Sequence, residues 1–177
     1  MKPITEQSQI DRYLSLVREM TATDTEKPTG LNPVWVRDHA WKVVPVEDSG
    51  HLTDDEIAVL VPVLNRAGFT ECLAVATEWL DPAPSCYRVS ISEDGLRKFN
   101  EECGLFRYLL TDENRSWAIS CDVWYNLFAG PPDLLEAMLG KPIEEARREF
   151  LEYASVFTGA QPPDESILQV AKHYAAL

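Results

Sequence analysis

The sequence predicts an α+β fold, with a single domain over residues 1–177 in which a mainly antiparallel sheet of about four or five strands is flanked by helices. Apolar residues recur at helical spacing near both ends of the chain, which indicates amphipathic helices there. The middle of the chain instead holds short apolar runs of strand length, two of which are joined by a polar turn. A chain of 177 residues can bury a sizeable core without disulfide or metal staples.

The first helix is predicted over residues 7–21. Its apolar positions share one face at 3.6-residue spacing, and they are Ile10, Tyr13, Leu14, Val17 and Met20. Residues 21–33 are rich in turn-forming side chains, so we expect an irregular surface connection. The valine-rich residues 34–44 that follow predict a strand, which Pro45 should close.

A capping box predicts where the next helix begins. Thr53 and Glu56 have the spacing at which two side chains satisfy the free amides of a first helical turn. The helix should extend to residue 67 and end at Gly68, and Pro62 should kink or shorten it.

Strand signals dominate the middle of the chain. Residues 71–77 and residues 87–91 are expected to pair, and a helix capped by Ser92 should follow them. Residues 105–110 and 117–121 flank a polar five-residue loop, which predicts an antiparallel hairpin.

Residues 122–129 are compatible with either a strand or a short helix. Asp122 as an N-cap and Gly130 as a left-handed stop favour the helix slightly. Three further helices are predicted at residues 133–139, 142–157 and 166–176, and a short linker is predicted at residues 158–164.

The chain is strongly acidic. It carries 29 acidic against 16 basic side chains, a net charge of −13 with a pI near 4.6. Without a basic run, neither nucleic acid nor an anionic membrane is an expected partner, whereas a basic protein is. The surplus carboxylates also have a simpler interpretation, since they keep a protein soluble. No apolar signal segment and no run of 18 apolar residues occurs, so we expect the cytoplasm as the location.

Catalytic and metal-binding motifs are missing from the sequence. No two glycines lie closer than nine positions, which excludes the common phosphate-binding loops, and neither H-E-x-x-H nor G-x-S-x-G occurs. The cysteines form no C-x-x-C pair and are expected to be buried free thiols; they are Cys72, Cys86, Cys103 and Cys121. We therefore expect no metal, no cofactor and no enzymatic activity.

Several segments resemble bacterial immunity proteins, which accompany secreted polymorphic toxins and contact-dependent inhibition systems. The segments are GLRKFN (95–100), DENRSWAIS (112–120), LFAGP (127–131) and the acidic-aromatic EFLEY (149–153). They lie within about a third of the chain. The resemblance implies a small cytosolic α+β protein that binds and blocks a cognate toxin domain, often a basic nuclease.

Candidate partner-binding residues come from the acidic loop, from the helix after Pro142 and from two tryptophans, because carboxylates attract a basic partner and aromatic side chains anchor interfaces. They are Asp112, Glu113, Trp117, Trp124, Glu144, Glu145, Glu149 and Glu152. Two other functions stay open. The chain could be a small enzyme or ligand-binding domain without a recognisable motif, or an acidic secretion chaperone that binds an effector for export.

Overall fold

The computed structural model describes residues 1–21, 30–47, 52–78, 85–104, 106–122, 124–156 and 164–175. Seven strands lie in this part of the chain, namely β1 (Lys2–Pro3), β2 (Lys42–Glu47), β3 (Glu71–Ala76), β4 (Cys86–Ser90), β5 (Tyr108–Thr111), β6 (Ala118–Cys121) and β7 (Tyr125–Gly130). The helices are α1 (Gln7–Met20), α2 (Pro33–Asp38), α3 (Asp54–Arg66), α4 (Glu93–Cys103), α5 (Pro132–Leu139), α6 (Ile143–Ser155) and α7 (Asp164–Ala175). The predicted α+β class is confirmed, but the sheet has more strands than expected.

All seven strands form one antiparallel sheet, in the order β1-β4-β3-β5-β6-β7-β2. Helices cover both faces. The helices α3, α4 and α5 pack on one face, and α1, α2 and α7 pack on the other. The helix α6 contributes to both sides, with Ile143 and Ala146 in the first core and Phe150 and Ala154 in the second. On β3, Leu73 and Val75 point into the α1 side while Ala74 points into the α3 side, as the two-residue period of a strand requires. The central strands are therefore buried on both sides.

Each outer strand of the sheet contains a proline, Pro3 in β1 and Pro45 in β2. Proline has no backbone N–H, so it weakens an edge as a template for pairing with another chain. The guanidinium of Arg147, on α6, donates to the outward-facing carbonyl of Val43 across 3.2 Å. Proline and arginine together protect the β2 edge from strand addition.

The structure confirms most of the helix caps and stops that were predicted from the sequence. The capping box is present, with the Glu56 amide donating to Thr53 Oγ1 and the Thr53 amide donating to the Glu56 carboxylate. Ser92 caps α4, and Gly140 ends α5 with a left-handed φ of 67°. Pro62 was expected to kink or shorten α3, and it does not shorten the helix, which runs through it to Arg66.

The strand predicted over residues 34–44 was wrong in its first half. Asn32 accepts a hydrogen bond from the Val34 amide and Pro33 occupies the first helical turn, so α2 begins there. The chain then reverses at Ala40, whose φ is 53°, and enters β2. Pro45 lies inside β2 and does not close it, because an edge strand tolerates proline.

The slight preference for a helix at residues 122–129 was also wrong, because Tyr125–Gly130 forms β7. Every residue of β7 is buried, so its sequence shows no alternation of polar and apolar positions. Asp122 pairs with Arg107 across 3.0 Å and does not cap a helix.

Two predicted connections fall largely on residues that the structure does not describe. An isolated bridge between Thr21 and Leu31 joins the two ends of the connection predicted over residues 21–33, and residues 22–29 lie outside the described chain. The linker predicted over residues 158–164 also lies outside it, except for Asp164, which begins α7.

Candidate functional site

A cavity of about 480 Å³ opens between α3, α5, α6 and the C-terminal end of β2. Its apolar lining includes Val46, Val59, Phe128, Met138, Ala146 and Phe150. Among the described residues, its charged lining is formed by four carboxylates, those of Glu47, Asp55, Glu56 and Glu149, and by the ammonium of Lys141. The cavity therefore combines an apolar floor with a predominantly negative rim.

The rim residues come from four separate elements. Glu47 ends β2, Asp55 and Glu56 lie in the first turn of α3, and Glu149 lies on α6. Carboxylates suit the start of α3, because the helix dipole places partial positive charge there. Lys141 follows the left-handed turn after α5.

Gly140 makes that turn possible. Its φ of 67° is a conformation that side chains rarely adopt, and a Cβ at this position would stand 3.5 Å from Val59 Cγ1 of α3. Since a contact of 3.5 Å is an ordinary van der Waals distance, it is the left-handed φ that favours glycine in this turn, which packs against α3 and forms one wall of the cavity.

The four carboxylates of the rim are not equally compensated. Lys141 Nζ lies 2.8 Å from a Glu149 oxygen, and Glu56 takes part in the capping box of α3. Glu47 and Asp55 are exposed, and within the described ranges neither has an ion-pair partner. An incoming cation would therefore find, at the rim, carboxylates that have no ion pair with another described residue.

Two of the predicted partner-binding residues are buried. Asp112, with 6% of its surface exposed, accepts hydrogen bonds from the amides of Asn114 and Ser116 and from the Ser116 hydroxyl. Trp117, with 1% exposed, lies against Phe69 in an edge-to-face contact. In this conformation Asp112 orders the β5–β6 turn and Trp117 fills the core, so neither side chain is exposed at the surface.

Glu113 lies at the surface, but its charge is compensated. Its carboxylate accepts hydrogen bonds from Arg88 at 2.7 Å and from the Tyr13 hydroxyl at 2.9 Å, and Arg12 lies 3.5 Å away. The hydrogen bond from Arg88, with that from Tyr13, lowers the pKa of Glu113. This carboxylate joins α1 to the sheet.

The remaining predicted residues are accessible in different places. Glu149 lines the cavity, whereas Glu144 is exposed and lies 3.4 Å from Arg147. Glu145 is half-buried and Glu152 exposed. Trp124 has 47% of its surface exposed. It is followed by Tyr125 of β7, which pairs with Glu47, so Trp124 and Glu47 lie at the same end of the sheet.

Sequence reasoning missed most of the rim. Glu47, Asp55, Glu56 and Lys141 were not candidates, because they are brought together by tertiary packing and share no local pattern. Of the predicted residues, only Glu149 lines the cavity.

Among the described residues that line the cavity, none is a serine, threonine, cysteine or histidine. All four cysteines are buried, as predicted, and burial raises the pKa of the Cys72 thiol to about 12. Among the described residues, no group of three or more histidine, cysteine or acidic side chains is arranged to hold a metal ion.

Comparison with protein-family models, with curated proteins and with solved structures gives no match to this chain. In the described part of the chain, no helix has both the length and the apolar character needed to cross a membrane. The chemical properties of the cavity itself are therefore the guide to function.

Proposed function

We propose that this chain is a cytoplasmic immunity protein that binds and neutralises a basic toxin domain. The observation that carries the proposal is the cavity between α3, α5 and α6, in which an apolar floor lies beneath an acidic rim. Protein interfaces combine a buried apolar centre with a polar border, and this cavity offers both. The resemblance to immunity proteins supplies the biological setting.

The charge of the whole chain supports a basic partner. A net charge of −13 creates a field that accelerates the approach of a cationic protein. Trp124 adds an exposed aromatic side chain at the same end of the sheet as Glu47. Such side chains often contribute strongly to interfaces.

A second candidate function is the binding of a small cationic ligand. The volume of about 480 Å³ lies within the range of roughly 300–1,000 Å³ that is typical of small-molecule sites. Such a ligand would need an apolar body and a positive group, because the lining offers complementary surfaces for both.

Co-expression tests the proposed function. The genes beside the one for this chain are sequenced, and a toxin domain found there is expressed in bacteria with and without the chain while growth is measured. We expect growth to be restored only by co-expression, and we expect the purified proteins to form a complex in which the toxin activity is lost. A complex that leaves the toxin fully active would contradict neutralisation and support a secretion chaperone. The absence of any toxin gene beside this one would contradict the immunity role.

A further inference from the structure

We infer that the cavity receives one lysine side chain of its partner, and that Lys141 competes with this guest from within the chain. The inference rests on the proposed function, because a basic protein would supply the lysine. It adds two points to the proposed function: the side chain of the partner that enters the cavity, and the residue of this chain that weakens its binding.

The floor of the cavity suits the stem of a lysine. Phe128 and Met138 are almost fully buried and form its deep part, and Val46 and Val59 are half-buried toward the opening. A lysine can lay its four methylene groups on apolar surface while its ammonium stays at a polar rim. The floor thus fits the apolar part of this side chain, and the rim fits its charged end.

The rim already binds an ammonium. Lys141 Nζ lies 2.8 Å from the Glu149 carboxylate, with 39% and 48% of the two side chains exposed. Ion pairs as exposed as this one are weak, so they exchange readily with other cations. A guest lysine would reproduce a contact that the molecule itself shows. It would also meet Glu47 and Asp55, which have no ion-pair partner in the described ranges.

This arrangement makes Lys141 an internal competitor. While Lys141 holds Glu149, the guest has one rim carboxylate fewer, so replacing Lys141 by a neutral residue should strengthen binding. Lys98→Gln is a matched control, because Lys98 pairs with Glu102 across 3.6 Å on α4 and the two side chains are similarly exposed, at 52% and 44%. The control removes the same charge from a comparable pair outside the cavity lining.

The first experiment is an NMR titration of the whole protein with n-hexylammonium, which carries the chemistry of a lysine side chain. We expect saturable shifts at the methyl groups of Val46, Val59 and Met138, and at least about tenfold weaker binding of 1-hexanol, which has no charge. Equal binding of hexanol would contradict a role for the rim. Tighter binding of hexylguanidinium by tenfold or more would contradict lysine as the guest in favour of arginine.

The second experiment titrates the variants with n-hexylammonium. Lys141→Gln should tighten binding by about two- to fivefold, the size expected from freeing one exposed carboxylate, and Lys98→Gln should leave it unchanged. Equal effects of the two substitutions would contradict the competition. Unchanged NMR signals from the methyl groups outside the cavity verify that both variants are folded. Failure to bind hexylammonium while co-expression restores growth would overturn this inference and leave the proposed function standing. Failure of co-expression to restore growth would overturn the proposed function, and with it the partner that supplies the lysine.

Discussion

The β5–β6 turn and the cavity between α3, α5 and α6 are both rich in carboxylates, but they use them in opposite ways. In the turn, Asp112 and Glu113 accept hydrogen bonds from backbone amides, from a tyrosine and from an arginine. At the cavity, Glu47 and Asp55 face solvent and have no ion-pair partner in the described part of the chain. The same residue types thus support the fold in one region and remain accessible in the other.

This difference shows why net charge alone does not locate a binding surface. A carboxylate that accepts several hydrogen bonds contributes to stability, and moving it toward a partner would break those bonds. An exposed carboxylate without a partner contributes little to stability and retains its attraction for a cation. The two regions should therefore respond oppositely to substitution, with large effects on folding at the turn and effects on binding at the cavity.

The largest effect on stability is expected at the turn. Asp112→Ala removes a buried carboxylate that accepts hydrogen bonds from two backbone amides and one hydroxyl. We expect the free energy of unfolding to fall by about 2–3 kcal/mol, because the amides lose charged acceptors. Urea denaturation measures this change. A decrease below about 0.5 kcal/mol would mean that water replaces the carboxylate without loss.

A smaller effect is expected at the capping box. Glu56 lines the cavity, but its carboxylate also holds the start of α3, where it acts together with Thr53. Thr53→Ala should lower the free energy of unfolding by about 1 kcal/mol through loss of the cap. Thermal unfolding tests this, and an unchanged midpoint would show that α3 does not depend on the box.

The effect of Glu113→Gln should depend on pH. The hydrogen bonds from Arg88 and Tyr13 lower the pKa of Glu113 in the folded protein from an ordinary value of 4.5. A carboxyl with a lowered folded-state pKa stabilises fully above its unfolded pKa, and this contribution disappears as the pH falls through the folded value. We expect the substitution to lower stability by less than about 1 kcal/mol near pH 7, since water screens this exposed group.

Urea denaturation of wild type and Glu113→Gln at several pH values checks this dependence. The difference between the two proteins should shrink below about pH 4.5. A difference that grows on acidification would show that Glu113 is not the stabilised anion that its contacts indicate.

The smallest effect on stability is expected at the cavity. The double substitution Glu47→Gln with Asp55→Asn should lower the free energy of unfolding by less than about 1 kcal/mol, because neither carboxylate has an internal ion pair in the described ranges and only Asp55 interacts with a helix dipole. The same urea assay gives the comparison with Asp112→Ala. A loss near 2 kcal/mol would contradict the separation of the two regions.

The sequence allowed prediction of features that depend on neighbouring residues. The capping box at Thr53 and the stop at Gly140 are local, so their chemistry can be read from a few positions. The strand β7 escaped prediction because burial on both faces removes alternation, and the potential cap at Asp122 then favoured a helix. The start of α2 was overlooked although Asn32 and Pro33 carry an ordinary helix-start signal, because the valines after them favour strands.

Most of the residues that line the cavity could not be predicted from the sequence. Glu149 follows Asp55 by 94 residues in the chain, and it meets Glu47 and Asp55 at the cavity only through packing of α3 and α6 at the β2 edge. The burial of Asp112 and Trp117 has the same origin, since a polar loop residue and a tryptophan can each face either solvent or the core. Contacts between distant segments decide which carboxylates remain accessible.

The most direct test of the account measures the association rate between the chain and the toxin domain that the co-expression test identifies. One variant combines Glu47→Lys with Asp55→Lys at the cavity. Its control combines Asp94→Lys with Glu101→Lys on α4, which gives the same change in charge at two exposed carboxylates, one of them also in a first helical turn. Stopped-flow measurements at about 0.02 M and about 0.3 M salt separate local from overall charge, because salt screens the longer-range attraction.

We predict that the cavity variant associates at least about tenfold more slowly than wild type at low salt, while the control slows association by less than about threefold. The wild-type rate should fall steeply as salt increases. Equal slowing by the two variants, or a wild-type rate indifferent to salt, would contradict the claim that the cavity carboxylates guide a basic partner to this protein.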